Sequence, residues 1–161
     1  MSLPISHLLT YEQFLAVAES IKDNTGHITE YSNGKIYYFS PNARYGKSIR
    51  NLCNILEYKL PGSCVVANEL HVKFAENEYR IPDVSVFCGE DVREKAENYI
   101  LHLETPKLIF EVLNESTEEN YRGYKLDLYA VAGIEEYFLV DYRNKTIEQY
   151  YLQNNSYNRR H

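Results

Sequence analysis

Apolar positions along the chain switch repeatedly between helical and strand-like spacing. Phe14, Leu15, Val17, Ala18 and Ile21 recur at the helical period. Thr10 with Gln13 three residues later is a capping-box pattern, so a helix starts there and residues 24–26 end it. Residues 28–31 and 35–40 then read as two short strands. Asn33-Gly34 between them suits a tight hairpin turn, and Ser40-Pro41 closes the second strand. Ile49, Leu52, Cys53, Leu56 and Leu60 place a second helix over residues 43–60, stopped by Pro61-Gly62.

Three extended runs follow, at residues 64–67, 70–74 and 79–87, with a turn at Glu76-Asn77-Glu78 before the third. Residues 89–98 are polar and hold a short helix. The Leu-Ile-Phe-Glu-Val-Leu stretch within residues 107–113 reads as a buried strand. Residues 118–132 form a helix with Gly133 where a C-terminal cap belongs, and residues 136–140 and 146–152 are the last two strands. This order predicts an α/β (α+β) fold, a central mixed sheet flanked by helices, in one domain over residues 1–161.

Composition narrows the picture. Sixteen tyrosines and no tryptophan favour half-buried strands with one wet edge. A formal net charge of −6 argues against coating nucleic acid by charge alone, while leaving room for a local basic patch. Cys53, Cys64 and Cys88 are odd in number and lack CxxC spacing, which speaks against a disulfide framework or structural zinc and for a reducing cytoplasm. No apolar run reaches membrane-spanning length, and no basic-then-apolar leader pattern opens the chain. In a cytoplasmic chain the Asn114-Glu-Ser116 and Asn144-Lys-Thr146 glycosylation patterns are chance matches.

The chemistry sits in four residues. Glu111 is the one charged residue of its apolar run, which fits either an edge-strand Glu facing water or a buried carboxylate that needs a cation. Asp83 follows Pro82 and opens Val84-Ser85-Val86-Phe87, so it is either a strand-start Asp or a second ligand. Together the two acids supply the oxygen donors that a hard divalent cation requires. Lys125 lies on the following helix, with Tyr121 and Tyr129 one turn away on either side. It either snorkels along the core or stabilises charge at a bound phosphate. Glu30, just before the hairpin turn, reads as an exposed Glu or a further ligand. Arg44, Lys47 and Arg50, three apart on the second helix, form a solvated face or contacts to backbone phosphates.

In order, Arg80-Ile-Pro-Asp83, Phe-Glu111-Val-Leu-Asn-Glu-Ser-Thr, Lys125-Leu-Asp-Leu-Tyr-Ala and Ala132-Gly-Ile-Glu-Glu-Tyr-Phe-Leu-Val-Asp141 resemble the PD-(D/E)XK nuclease superfamily. The closer likeness is to its Uma-type restriction-endonuclease family, also catalogued as a domain of unknown function. It covers most of the chain, with a family-like core of about residues 9–157. The resemblance implies a restriction-endonuclease-like fold and a hydrolase cutting DNA. It also implies Mg2+ or Mn2+ on Asp83 and Glu111 with Glu30 assisting, and a homodimer. The superfamily's usual lysine position, two residues after the second acid, is Leu113 here, and Lys125 matches the migrated lysine of the Uma-type family. Tyr121 stands where many relatives carry Asp, and Tyr45 where many carry His. The competing readings are a catalytically silent nuclease-fold scaffold and a hydrolase of another phosphoester.

Overall fold

The structure is a computed structural model, which describes residues 2–4, 8–40, 42–99, 101–113 and 118–160. Pro41 and the Asn114-Glu115-Ser116 segment lie outside the described residues. A short strand, β1 (Ser2–Pro4), precedes α1 (Tyr11–Thr25), whose capping box forms as its sequence implies. The Gln13 N–H donates to Thr10 Oγ1 at 3.3 Å, and the Thr10 N–H donates to Gln13 Oε1 at 2.9 Å. Strands β2 (Ile28–Ser32) and β3 (Lys35–Phe39) then pair across Asn33 and Gly34, with φ of 42° and 82°. Two successive positive φ angles give a turn whose twist matches that of the strands.

Helix α2 (Ala43–Lys59) starts at an Asn42 side-chain cap and buries Tyr45 and Ile49. Strands β4 (Cys64–Asn68) and β5 (Val72–Ala75) follow. The run 79–87, expected as one strand, is two. Strand β6 (Glu78–Arg80) and strand β7 (Val84–Cys88) lie in different sheets, with Ile81-Pro82-Asp83 as the crossover. Pro82 cannot donate to a ladder, which accounts for the break.

After α3 (Val92–Glu97) and a 3-10 turn at Leu101–Leu103 comes β8 (Leu108–Val112). The helix expected over 118–132 is also divided at Gly123, into α4 (Glu118–Arg122) and α5 (Tyr124–Val131). Gly133 (φ 82°) follows α5 as expected. Its N–H donates to the Ala130 carbonyl and the Ile134 N–H donates to the Tyr129 carbonyl, which closes the last turn.

Strands β9 (Glu136–Asp141), β10 (Thr146–Gln153) and β11 (Ser156–Arg160) complete the chain. Strand β11 was not expected. It folds back through Asn154 and Asn155, both at positive φ, and pairs with β10. Residues 146–152 are therefore an inner strand, and β11 forms the edge of the sheet.

The strands form a five-stranded antiparallel sheet, β1-β3-β2-β6-β5, and a six-stranded mixed sheet, β11-β10-β9-β8-β7-β4, whose β8–β9 pair is parallel. Mixed sheet and flanking helices are as predicted, and the second sheet is the addition. The first sheet packs Tyr31, Ile36 and Tyr79 against Tyr11, Phe14 and Ala18 of α1. In the second, residues of β8 alternate: Phe110 and Val112 pack with Tyr45 and Ile49 of α2, while Ile109 packs with Tyr129 of α5.

The reading of the cysteines needs correction. The β4–β7 register sets Cys64 opposite Cys88, and the two are disulfide-bonded, with Cys53 free. Sequence spacing carries no trace of that register, and the cysteine argument for a reducing compartment falls with it. Among the described residues no helix is long and apolar enough to cross a membrane.

Candidate active site

Strand alternation aims Glu111 at α5 rather than at α2. The β7–β8 register pairs Val84 with Phe110, and one step further along sets Asp83 beside Glu111. Asp83 is held by two donors. Its Oδ2 accepts the Val112 N–H at 2.5 Å, and its Oδ1 accepts the Tyr45 hydroxyl from α2. Both acids are buried, Asp83 at 1% exposure and Glu111 at 0%, so the water-facing reading of Glu111 is excluded. Burial pushes the Asp83 carboxyl well above the usual carboxylate range, and the neighbouring Glu111 charge adds to it.

Lys125 joins the two sheets. Its Nζ donates to Glu111 Oε1 at 2.9 Å and to Glu30 Oε1 at 2.8 Å, and it lies 4.6 Å from the centre of the Tyr121 ring. Glu30 reaches this point because β2 alternates: Tyr31 faces α1 and Glu30 faces away from it. Glu30 also accepts the Ile81 N–H at 3.2 Å and pairs with Arg80 at 3.5 Å. Burial raises its carboxyl, but Lys125 and Arg80 outweigh burial and the net shift is downward. Burial likewise lowers Lys125, and Glu111 and Glu30 more than reverse that, so the ammonium is the stable form. Glu111 keeps a raised carboxyl through burial, only partly offset by Lys125.

The four predicted residues thus converge. Glu30, Lys125 and Glu111 form one hydrogen-bonded chain, and Asp83 stands next to it through the strand register. Among the described residues no group of three or more His, Cys, Asp or Glu side chains is arranged as a ready metal cage. The pair Asp83–Glu111 nonetheless fits a hard cation. Glu111 Oε2 is buried and has no hydrogen-bond partner among the described residues, an arrangement that is costly for an ionised carboxylate unless a cation meets it. Glu30 is bound up with Lys125, Arg80 and the Ile81 amide.

Arg44, Lys47 and Arg50 stand apart from this centre. They are exposed on α2, on the side away from buried Tyr45 and Ile49, and none forms an ion pair with a described residue. Two contributors escaped the sequence reading. Arg80 neutralises Glu30 and Glu78 from the strand preceding Pro82, and Tyr129 donates its hydroxyl to Glu111 Oε1 at 2.7 Å. Helical spacing places Tyr129 beside Lys125, yet its partner depends on the tilt of α5 against β8, which no spacing reports.

A family model described as "Putative restriction endonuclease", Uma2, matches residues 11–161. The chain belongs to the Uma2 family. It is 33% identical over 130 residues to an uncharacterized protein of Synechocystis sp., an alignment covering 76% of this chain and 65% of that relative's length. Its structure is similar to a crystal structure from Anabaena variabilis described as "a putative nuclease belonging to DUF820". The TM-score is 0.74 at 20% identity, covering 94% of this chain and 83% of the other. The fold is therefore the restriction-endonuclease-like one that the sequence resemblance implied.

Proposed function

We propose that this chain is a metal-dependent endonuclease that hydrolyses phosphodiester bonds in DNA, with Asp83 and Glu111 holding Mg2+ or Mn2+. The observation that carries the reading is the buried Glu111 Oε2, without a hydrogen-bond partner among the described residues, beside Asp83 and under a charged lysine. A bound divalent ion at such a pair supplies polarisation of a phosphoryl oxygen and a more acidic water. The protein's own groups do the rest. Lys125 holds its proton, so it acts as a hydrogen-bond donor and positive charge for the phosphate, not as a general base. Glu30 stays ionised and positions the ammonium. Tyr45 and the Val112 amide orient Asp83, as outer partners orient ligands elsewhere.

Arg44, Lys47 and Arg50 on α2 would meet DNA phosphates and offset the acidic total charge. A two-fold dimer would bring one site to each strand. Acting on DNA would put the enzyme in the cytoplasm, a compartment in which a disulfide such as Cys64–Cys88 is rare.

The test is incubation of purified protein with plasmid and single-stranded DNA plus Mg2+ or Mn2+. Cutting is expected for the wild type and lost in Asp83→Ala; cutting that survives that substitution refutes the assignment. One observation favours the scaffold reading. Lys125 and Arg80 pair with Glu30, Glu111 and Glu78, so each of these buried groups already has a partner of opposite sign within the fold. Absence of both cutting and calorimetric metal binding would decide for that reading.

A further inference from the structure

Tyr121 closes the α4 end of the same site. It is 1% exposed, yet its hydroxyl has no hydrogen-bond partner among the described residues. The Lys125 ammonium that bonds Glu111 and Glu30 lies 4.6 Å from the centre of its ring, which sets the phenol beside the acids, and burial together with the charges of Asp83 and Glu111 raises its proton affinity. Glu111 Oε2 is likewise without a partner among the described residues. These two atoms are not bonded to each other. The remaining oxygens of the pair are engaged: both of Asp83 and Oε1 of Glu111 already accept donors.

A single ligand class answers both orphans. Glu111 Oε2 calls for a cation, whereas a neutral phenol is a poor cation ligand and calls for an acceptor. A phosphate oxygen beside a divalent cation is such an acceptor, and the Lys125 ammonium over the Tyr121 ring adds positive charge at the same place. We propose that the Tyr121 hydroxyl is a substrate contact, donating a hydrogen bond to a phosphate oxygen held beside the cation at Asp83 and Glu111. This rests on the nuclease reading above and extends it to the residue that grips the phosphate.

The experiment titrates inorganic phosphate calorimetrically into the full chain, with and without Mg2+, for wild type, Tyr121→Phe and Tyr129→Phe, and records thermal melting of each. Wild type binds phosphate only with Mg2+. Tyr121→Phe binds it about tenfold more weakly, as expected when one hydrogen bond to a charged acceptor is removed, with Mg2+ binding intact. Its melting temperature is unchanged or higher, since the Tyr121 hydroxyl has no partner among the described residues. Tyr129→Phe, which removes the bond to Glu111, melts lower and calibrates what a structural hydroxyl does.

Equal phosphate affinity in Tyr121→Phe means that water alone satisfies the hydroxyl, and the proposal is overturned. A melting temperature lowered as in Tyr129→Phe overturns it as well, as does a wild type without Mg2+-dependent phosphate binding. Failure of Mg2+ itself to bind sinks the nuclease reading; intact Mg2+ binding with no Tyr121 effect sinks this inference alone.

Discussion

The Val112 amide donates to Asp83 Oδ2 at 2.5 Å, so the strand that carries Glu111 also fixes the acid beside it. Two buried carboxyls are thereby held as neighbours, and both have raised proton affinities. Asp83→Asn removes one charge while leaving groups that can bond Val112 and Tyr45. The metal-free variant is expected to be as stable as wild type or more so, by about 1 kcal/mol, with Mg2+ binding and DNA cutting abolished. Urea midpoints and calorimetry check this. A marked drop in the midpoint would show that the fold needs the Asp83 charge.

Lys125→Met has the opposite expected sign. It leaves Glu30 and Glu111 buried without their shared cation and should destabilise the fold by about 3–5 kcal/mol. Adding Glu30→Gln and Glu111→Gln to that variant should restore most of the stability. Denaturant melts of the single and triple variants decide the matter, because a triple variant no better than the single one contradicts charge balance as the cause.

The pair also sets a pH dependence. Asp83 and Glu111 hold protons in the folded chain above the ordinary carboxylate range, where the unfolded chain has released them. Stability of the metal-free protein from this pair is therefore present at low pH and lost as pH rises through that window. Cation binding needs the ionised pair, so Mg2+ affinity should rise with pH over the same window and binding should expel protons. Calorimetry in buffers of different ionisation enthalpy measures the protons released. A binding heat independent of buffer would count against the assignment.

On α2, replacing Arg44, Lys47 and Arg50 by Ala should weaken DNA binding with little sequence dependence. The slope of log affinity against log salt should shrink by about 0.9 for each duplex phosphate that is no longer neutralised. Fluorescence anisotropy at several salt concentrations measures both. An unchanged slope would return these residues to an ordinary solvated face.

Local rules made most elements legible. The Thr10–Gln13 capping box, the Asn33-Gly34 turn and the Gly133 helix end each depend on a few adjacent residues, and each formed as read. The failures depended on pairing between distant segments. Strand assignment over residues 79–87 ignored that Pro82 could pass the chain from one sheet to another, and Cys64 meets Cys88 only through the β4–β7 register. For the site, residue order marked Asp83, Glu111, Lys125 and Glu30, and the structure brings them together. The hydrogen bonds from Tyr45 and Tyr129, and the charge of Arg80, required helix placement and sheet stacking to be seen.

Glu30 belongs to one sheet and Glu111 to the other, and the Lys125 ammonium links them directly. A chain that cut no DNA would still unfold more readily without any one of the three. Natural selection for folding alone would thus preserve Glu30, Glu111 and Lys125, so their retention in a relative would speak for stability as much as for catalysis. Asp83 is different, because among the described residues no basic side chain forms an ion pair with it. It is the position at which evolutionary retention would testify to chemistry.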